Sequence, residues 1–386
     1  MTPRWVFSHL NPKLFFSNPF GDTMKTKIIL LCLFTLTSFS VLAQQQAADP
    51  ERTPGVQARQ DSNRDAFILE HCADPAAAMA TATGRGRGRG RGGPGSIAPG
   101  QVMFTVSGIS GVIANGTRWR SLWTDTGNNA DSPIGVEDGV LVAQNDKSQI
   151  LKVGLDGVVE LVATDTYTGG ALAIAPNGTL YVGERALNQG IWQVEPRQVF
   201  ANTMNGEPLD CLTTGVLNDM IADADGGIYM TMGGVYYINP EGVVSSRYGV
   251  NGGNGLALSP SGSILYVTGR LPNASPPANL SVPTNAPEPS GGLVAYDVQA
   301  DGSLRNERQL AWAGGDGMAV DTNGRIYVTG NGGVWVISSA GEILGFINTP
   351  RSMISVSLGG PNKSTLFGVS IRDVEIFAID ILSQGL

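Results

Sequence analysis

Six copies of a short strand signature lie between residues 139 and 367, and this repeat strongly limits how the chain can fold. Each copy has a turn that ends at a marker residue, usually Gly, followed by apolar residues that often include Tyr and Val. The intervals between markers range from 36 to 62 residues. The markers are Gly139, Gly178, Gly226, Gly262, Gly324 and Lys363. Self-similarity at this spacing is typical of propellers and other repeat architectures.

Most copies are followed by a second apolar strand, and several are preceded by a short one, as at 256–258 and 318–320. A unit of this size with three or four short strands is typical of a propeller blade. The 52 glycines and 22 prolines provide for many tight turns. A β-sandwich would not produce six similar units. We therefore predict an all-β, six-bladed β-propeller over residues 97–386.

The ends of the repeat region indicate how the ring closes. The sixth unit ends with an apolar strand at 374–379 and leaves little chain for an outer strand. Residues 119–123 form an apolar strand before the first unit and have no inner partners of their own. We predict that this early strand completes the last blade, which would remove two exposed edges.

The first 96 residues lack the repeat. Met24 begins a short basic stretch, an apolar run and a small-residue end at Ala43, so residues 1–43 resemble a secretory signal peptide region with its start at Met24. An uncleaved anchor is the alternative. Residues 44–96 are interpreted as a flexible segment with a Gly/Arg-rich tether at 84–95. That tract could also bind RNA, but it has no aromatic residues for base stacking. The expected location is secreted or periplasmic, without a membrane span after cleavage.

Part of this N-terminal segment has a more specific pattern. Residues 64–80 could form a short helix that carries His71 and Cys72. After removal of the signal, Cys72 and Cys211 would be the two remaining thiols in an oxidising compartment. They could therefore pair and attach the segment to the propeller.

Composition excludes several classes of function. The chain has two His, three Cys and a formal net charge of −8. A multi-His zinc site, an iron–sulfur site and a His-based catalytic triad are excluded by these counts. The net negative charge disfavours nucleic acid as the main partner, because phosphate binding needs a basic surface.

Counting eight residues back from each marker gives six equivalent positions at the start of the innermost strands. We call them the ring positions, and four of the six are Asp or Asn. Turn chemistry explains an Asn or Asp at one strand start, but a shared site better explains four around one axis. The ring positions are Asp131, Gly170, Asn218, Asn254, Asp316 and Ser355.

The chemistry of these side chains predicts a bound cation. The carboxylates of Asp131 and Asp316 and the amides of Asn218 and Asn254 would converge in a narrow channel. No Lys or Arg occupies an equivalent position to balance the carboxylates. Oxygen ligands favour one divalent cation, with Ca²⁺ preferred and Mg²⁺, Mn²⁺ or Zn²⁺ as alternatives. Asp131, Asn218, Asn254 and Asp316 are therefore the predicted metal ligands.

Several segments resemble the gluconolactonase/regucalcin (senescence marker protein) family. The similar motifs are "N-D-x-x-x-D-x-x-G" at 218–226, "N-G-L-A-x-S-P-x-G-x-x-L-Y" at 254–266, "D-G-M-A-x-D" at 316–321 and "G-G-P-x-x-x-x-L" at 359–366. The resemblance covers about residues 119–381. It implies a six-bladed propeller with one divalent cation in the channel, and for many members hydrolysis of sugar lactones.

The resemblance also implies residue roles. Asn254 and Asp316 match metal ligands of the family, and Asn218 matches a polar residue that contacts the metal or the substrate. Asp131 stands where the family usually has Glu. The Arg often found two residues before Asn218 is replaced by Val216.

These features predict an exported, metal-dependent hydrolase that opens a sugar lactone. The cation would polarise the carbonyl or activate water. Asp316 and Asn218 are the predicted catalytic residues, the first as a general base, and Asn218 and Asp219 the predicted substrate-binding residues. The alternative is a non-catalytic propeller that binds a sugar or peptide and uses the cation to cross-link its blades.

Overall fold

The computed structural model describes Arg52 and residues 55–80, 102–127, 130–212, 215–249, 253–370 and 374–386. In these residues the strands form six antiparallel sheets of four or five strands and one two-stranded hairpin. This confirms the predicted all-β, six-bladed propeller. The predicted signal peptide, the Gly/Arg-rich tether and the boundary between residues 96 and 97 lie outside the described residues.

The strands follow one another around the ring in chain order. The strands that precede the first blade are β1 (Val102–Thr105) and β2 (Arg118–Asp125). Blade 1 contains β3 (Ala130–Val136), β4 (Gly139–Gln144), β5 (Gln149–Gly154) and β6 (Val159–Ala163). Blade 2 contains β7 (Ala171–Ile174), β8 (Leu180–Glu184), β9 (Gly190–Gln193) and β10 (Gln198–Ala201), and a hairpin of β11 (Thr203–Met204) and β12 (Glu207–Pro208) follows it. Blade 3 contains β13 (Asp219–Ala222), β14 (Ile228–Thr231), β15 (Val235–Ile238) and β16 (Val244–Tyr248).

The second half of the ring repeats this order. Blade 4 contains β17 (Leu256–Leu258), β18 (Ile264–Thr268), β19 (Leu293–Val298) and β20 (Leu304–Ala311). Blade 5 contains β21 (Met318–Val320), β22 (Ile326–Gly330), β23 (Gly333–Ile337) and β24 (Ile343–Asn348). Blade 6 contains β25 (Met353–Gly359), β26 (Thr365–Ser370) and β27 (Val374–Asp380).

Strands from both ends of the propeller close the ring. Blade 6 has the strand order β1-β2-β27-β26-β25, so β2 pairs with β27 as predicted for residues 119–123. The inner strands β3, β7, β13, β17, β21 and β25 contact one another in this order, and β25 contacts β3 again. We call the face of the ring where these inner strands begin the upper face.

The repeated signature has a clear physical role in each blade. The marker residues Gly178, Gly226, Gly262 and Gly324 have φ between 71° and 90°, which favours glycine over residues with a side chain. The aromatic residue that follows fills the space between blades. Tyr229, Tyr266, Tyr327 and Phe367 are at most 1% exposed. The repeat therefore encodes one tight turn and one interblade core residue for most blades.

Residues 58–80 form a short arm that packs on the upper face of the propeller. The arm contains a 3-10 helix (Ala58–Gln60), α1 (Arg64–His71) and α2 (Pro75–Ala80). Ala58 and Phe67 pack on Leu187, which lies in the loop between β8 and β9. The predicted helix in this segment is therefore confirmed, and its packing joins it to blade 2.

A disulfide also holds the arm in place. Cys72, which follows α1, is bonded to Cys211 in the 3-10 helix Leu209–Cys211 between blades 2 and 3. The amide of Ala73 donates to Glu207 Oε1 at 2.6 Å. The predicted pairing of the two cysteines is thus confirmed. None of the helices in the described part of the chain has the length and apolar character needed to cross a bilayer.

We expect the Cys72→Ser/Cys211→Ser variant to be less stable by about 2–5 kcal/mol, because the disulfide constrains a long loop in the unfolded chain. The two cysteines are 139 residues apart in the sequence. Urea unfolding followed by circular dichroism measures the difference. A reductant should lower the unfolding midpoint of the natural chain and leave that of the variant unchanged. Equal midpoints for the two proteins would show that the disulfide adds no stability.

Candidate functional site

Hydrogen bonds join each blade to the next at or near the ring positions. In each of these bonds at least one of the two atoms belongs to the backbone. The pairs are Leu172 N to Ser132 Oγ at 2.8 Å, Arg185 Nη2 to Asn218 O at 2.5 Å, Thr231 Oγ1 to Asn254 O at 2.5 Å, Gly255 N to Asp316 O at 3.1 Å, Gly317 N to Ile354 O at 2.6 Å and Gly135 N to Ser357 Oγ at 2.6 Å. The ring positions therefore meet around one axis at the upper face.

Three threonines on the second strands of blades 3, 4 and 5 bind the backbone near the start of the inner strand of the same blade. Thr231, Thr268 and Thr329 lie at the upper ends of β14, β18 and β22, and each is at most 1% exposed. Their hydroxyls accept hydrogen bonds from the amides of Asp219 at 3.1 Å, Asn254 at 3.2 Å and Asp316 at 3.1 Å. The recurrence of Thr five or six residues after the marker is visible in the sequence, but sequence analysis did not identify it as part of the site.

A basic side chain, which the sequence analysis missed, lies among the ring positions. Arg185 follows β8, and its Nη2 donates to Asp131 Oδ2 at 3.2 Å and to the carbonyl oxygen of Gly170 at 2.8 Å. Its Nε donates to the carbonyl oxygen of Leu217 at 2.7 Å. The expectation that no Lys or Arg balances the ring carboxylates was therefore wrong. Only the inner strands had been compared, whereas Arg185 reaches the ring from the end of a second strand.

Glycine at ring position 170 makes room for this arginine. A Cβ atom at Gly170 would lie 2.2 Å from the Arg185 Cζ. Blade 2 thus has a guanidinium group where blades 1, 3, 4 and 5 have Asp or Asn. Arg351, the nearest basic residue along the chain to Ser355, instead forms a buried ion pair with Glu375.

Asp219, one of the two predicted substrate-binding residues, carries the most perturbed carboxyl near the ring. Burial raises the pKa of Asp219 to about 7, with a further contribution from repulsion by Asp131 and Asp316. Its Oδ1 accepts hydrogen bonds from Ser132 Oγ at 3.2 Å and from the amide of Met220 at 2.9 Å. The carboxylates of Asp131 and Asp316 are therefore close enough to that of Asp219 to disfavour its charged form.

A cavity of about 360 Å³ lies along the channel, lined by residues of all six inner strands. Asp219, Ser132 and Ser355 line it near the upper face, and aliphatic residues such as Leu258 and Val320 line it further down. Among the predicted site residues, Asp219 is in its lining. Asp131 is the second residue of β3, and Asn218, Asn254 and Asp316 lie one or two residues before β13, β17 and β21, so all four lie toward the upper end of the cavity.

The donor atoms at the ring suit a hard cation. Mutual repulsion among carboxylates is relieved by a cation, and the oxygens of Asp, Asn and Ser are the ligand type that Ca²⁺ and Mg²⁺ prefer. Among the described residues no three His, Cys, Asp or Glu side chains form a cluster with metal-binding geometry. A cation at the ring would therefore also need amide oxygens, as predicted for Asn218 and Asn254.

Comparisons with known proteins agree with this architecture. The sequence profile of the SMP-30/Gluconolactonase/LRE-like region family matches residues 143–372, more than half of the chain. The chain belongs to this family. The resemblance found in its motifs is thereby confirmed.

The similar curated proteins match only part of their own length. A gluconolactonase of Zymomonas mobilis is 24% identical over 51% of this chain and 59% of its own length. A lactonase of Staphylococcus aureus (strain USA300) is 28% identical over 39% of this chain and 49% of its own length. The chain thus spans about half the length of the curated relatives it matches.

Solved structures show the same fold. A gluconolactonase from Xanthomonas campestris has a TM-score of 0.59 and 20% identity, and the match covers 74% of this chain and 97% of the other. Regucalcin from Agrobacterium tumefaciens, described as a calcium-binding protein, has a TM-score of 0.55 and 17% identity, covering 70% of this chain and 96% of the other.

We expect Gly170→Ala to lower stability by about 1–3 kcal/mol, because the added methyl group overlaps the Arg185 guanidinium group and a packed site must shift to accept it. Urea unfolding measures the effect. The matched control is Gly249→Ala, since a Cβ at that position meets no atom within 4 Å. The account of Gly170 is wrong if both variants unfold at the same urea concentration.

Proposed function

We propose that this protein is a lactone hydrolase and that its reaction takes place at the ring positions on the upper face. The observation that carries the proposal is that Asp131, Asn218, Asn254 and Asp316 lie at or just before the starts of four inner strands that line one channel. Membership of the family, and the lactonase names of the similar proteins, support ester chemistry of this kind. The proposed substrate class is a sugar lactone.

The proposed reaction depends on one divalent cation held by oxygens of the ring positions, with Ca²⁺ as the preferred ion. The similarity to a protein described as calcium-binding supports this choice. When bound, such an ion would polarise the lactone carbonyl and make water more acidic.

The side chains of the ring would carry out the remaining steps. The Asp316 carboxylate accepts a proton from the attacking water, which adds to the lactone carbonyl carbon. The Asn218 amide donates a hydrogen bond to the carbonyl oxygen as negative charge develops there. The C–O bond of the lactone ring then breaks, and the proton passes from Asp316 to the departing alkoxide. Asp219 accepts a hydrogen bond from a substrate hydroxyl group.

We expect a chelated sample to hydrolyse aldonolactones only after Ca²⁺, Mg²⁺, Mn²⁺ or Zn²⁺ is added back. Asp316→Asn should lower kcat/KM by about 100-fold or more, a loss of about 2.7 kcal/mol in transition-state stabilisation. A pH indicator that reports carboxylic acid release follows the reaction. The matched control is Asp380→Asn, because Asp380 is exposed at the end of β27 and its side chain is 68% accessible.

Two other results would count against the proposal. Thermal stabilisation by a cation without turnover of any lactone favours the alternative, a propeller that binds a sugar or peptide around a structural ion. Full activity of Asp316→Asn would remove this residue from the mechanism.

We also propose that the protein is exported to an oxidising compartment. The disulfide between Cys72 and Cys211 supports this, because such bonds persist mainly outside the cytosol. The signal-like pattern that begins at Met24 is a second support. Cell fractionation should find a mature protein whose N-terminus follows residue 43, and a cytosolic protein that starts at or before Met24 would contradict the proposal.

A further inference from the structure

Arg185 occupies the blade 2 sector of the ring and is firmly held there. Its side chain is 5% exposed. Nε donates to Leu217 O and Nη2 donates to Gly170 O, so backbone carbonyls on two blades fix the plane of the guanidinium group. The arm adds a further restraint, because the amide of Ala58 donates to the Arg185 carbonyl oxygen at 2.7 Å.

This arginine engages two of the residues that were predicted to bind a metal. Asp131 Oδ2 accepts from Arg185 Nη2 at 3.2 Å, while Asp131 Oδ1 accepts from the amide of Ser132 at 2.9 Å. Both carboxylate oxygens therefore already accept hydrogen bonds from the protein. Arg185 Nη2 also lies 3.4 Å from Asn218 Oδ1. Asn254 and Asp316 lie on the opposite side of the ring. Their blades are joined there by the hydrogen bond from Gly255 N to Asp316 O.

The charge of Arg185 matters as much as its hydrogen bonds. A guanidinium group is a positive charge in proteins near neutral pH. A second cation coordinated by Asp131 would lie within a few ångströms of it, and repulsion between like charges at that range is strong where water is largely excluded. An ion is therefore more stable on the side of the ring away from blade 2.

We propose that Arg185 is a positioning residue that occupies Asp131 and Asn218, so that a divalent cation in the ring takes its side-chain ligands from Asn254 and Asp316. This inference rests on the proposed function, because it assigns the ligands of the ion that the proposed reaction uses. It assigns the Asp131 and Asn218 side chains to contacts with Arg185, and those of Asn254 and Asp316 to the ion.

Isothermal titration of the chelated full-length chain with Ca²⁺, and separately with Mn²⁺, tests the assignment without measuring activity. We expect Asp131→Asn to raise the Kd by less than about tenfold, because it removes no ligand of the ion and only leaves the charge of Arg185 less fully balanced, whereas Asp316→Asn, which removes a ligand, should raise it by about 100-fold or more. Arg185→Gln should tighten binding by about tenfold or more, since it removes the competing charge and the hydrogen bond to Asp131 Oδ2. In the Arg185→Gln background, Asp131→Asn should abolish that gain.

A matched arginine controls for the general loss of positive charge. Arg197 is also close to blade 2, but it pairs with Glu184 at 2.7 Å instead of with a ring position. Arg197→Gln should leave the Kd within about twofold of that of the natural chain. If Arg185→Gln does not fold, as judged by circular dichroism, Asp131→Asn alone carries the test, and Arg185→Lys should keep the Kd within about threefold because it retains the charge.

The possible outcomes separate this inference from the proposed function. If Asp131→Asn weakens cation binding as much as Asp316→Asn does, Asp131 is a ligand and the inference is wrong, while a cation-dependent hydrolase remains. An unchanged Kd in a folded Arg185→Gln variant overturns it as well. Cation binding by Arg185→Gln but not by the natural chain would show that Arg185 excludes the ion, and would overturn both the ligand assignment and the cation dependence. If no variant binds a cation, both proposals are wrong.

Discussion

The contact between adjacent inner strands at the upper face is the constraint on which the site depends. Each blade contributes a short inner strand, and hydrogen bonds such as Gly255 N to Asp316 O and Gly317 N to Ile354 O join one blade to the next. These bonds also satisfy backbone groups that would otherwise be buried without partners. The same atoms thus stabilise the ring and fix the spacing of the side chains that project from it.

Much of the fold could be predicted from sequence because the repeat is local. A marker glycine with positive φ and an aromatic residue that fills an interblade gap recur in most units, so Gly226 and Tyr229 have the same physical meaning as Gly324 and Tyr327. Ring positions could be found by counting, because each lies at a fixed distance from its marker. The assignment of Asp131, Asn218, Asn254 and Asp316 to catalysis and metal binding stays a prediction.

Features that break the repeat could not be predicted in the same way. Arg185 comes from the end of a second strand in one blade, and its place in the ring depends on the absence of a side chain at Gly170. Counting along the chain finds the glycine but not the group that fills its space. The arm lacks periodicity, so its helix and its disulfide were visible in the sequence while its packing on Leu187 was not.

The way blade 6 is assembled affects how the protein must be made. Strand β2 is synthesised before any of the five complete blades, whereas its partner β27 is synthesised after all of them. A nascent chain on the ribosome therefore carries an unpaired β2 until residues 374–380 have emerged. Exposed strand edges promote association with other chains. Blade 6 can therefore close only when both ends of the propeller sequence are available, whereas the strands of each of the other five blades are consecutive in the chain.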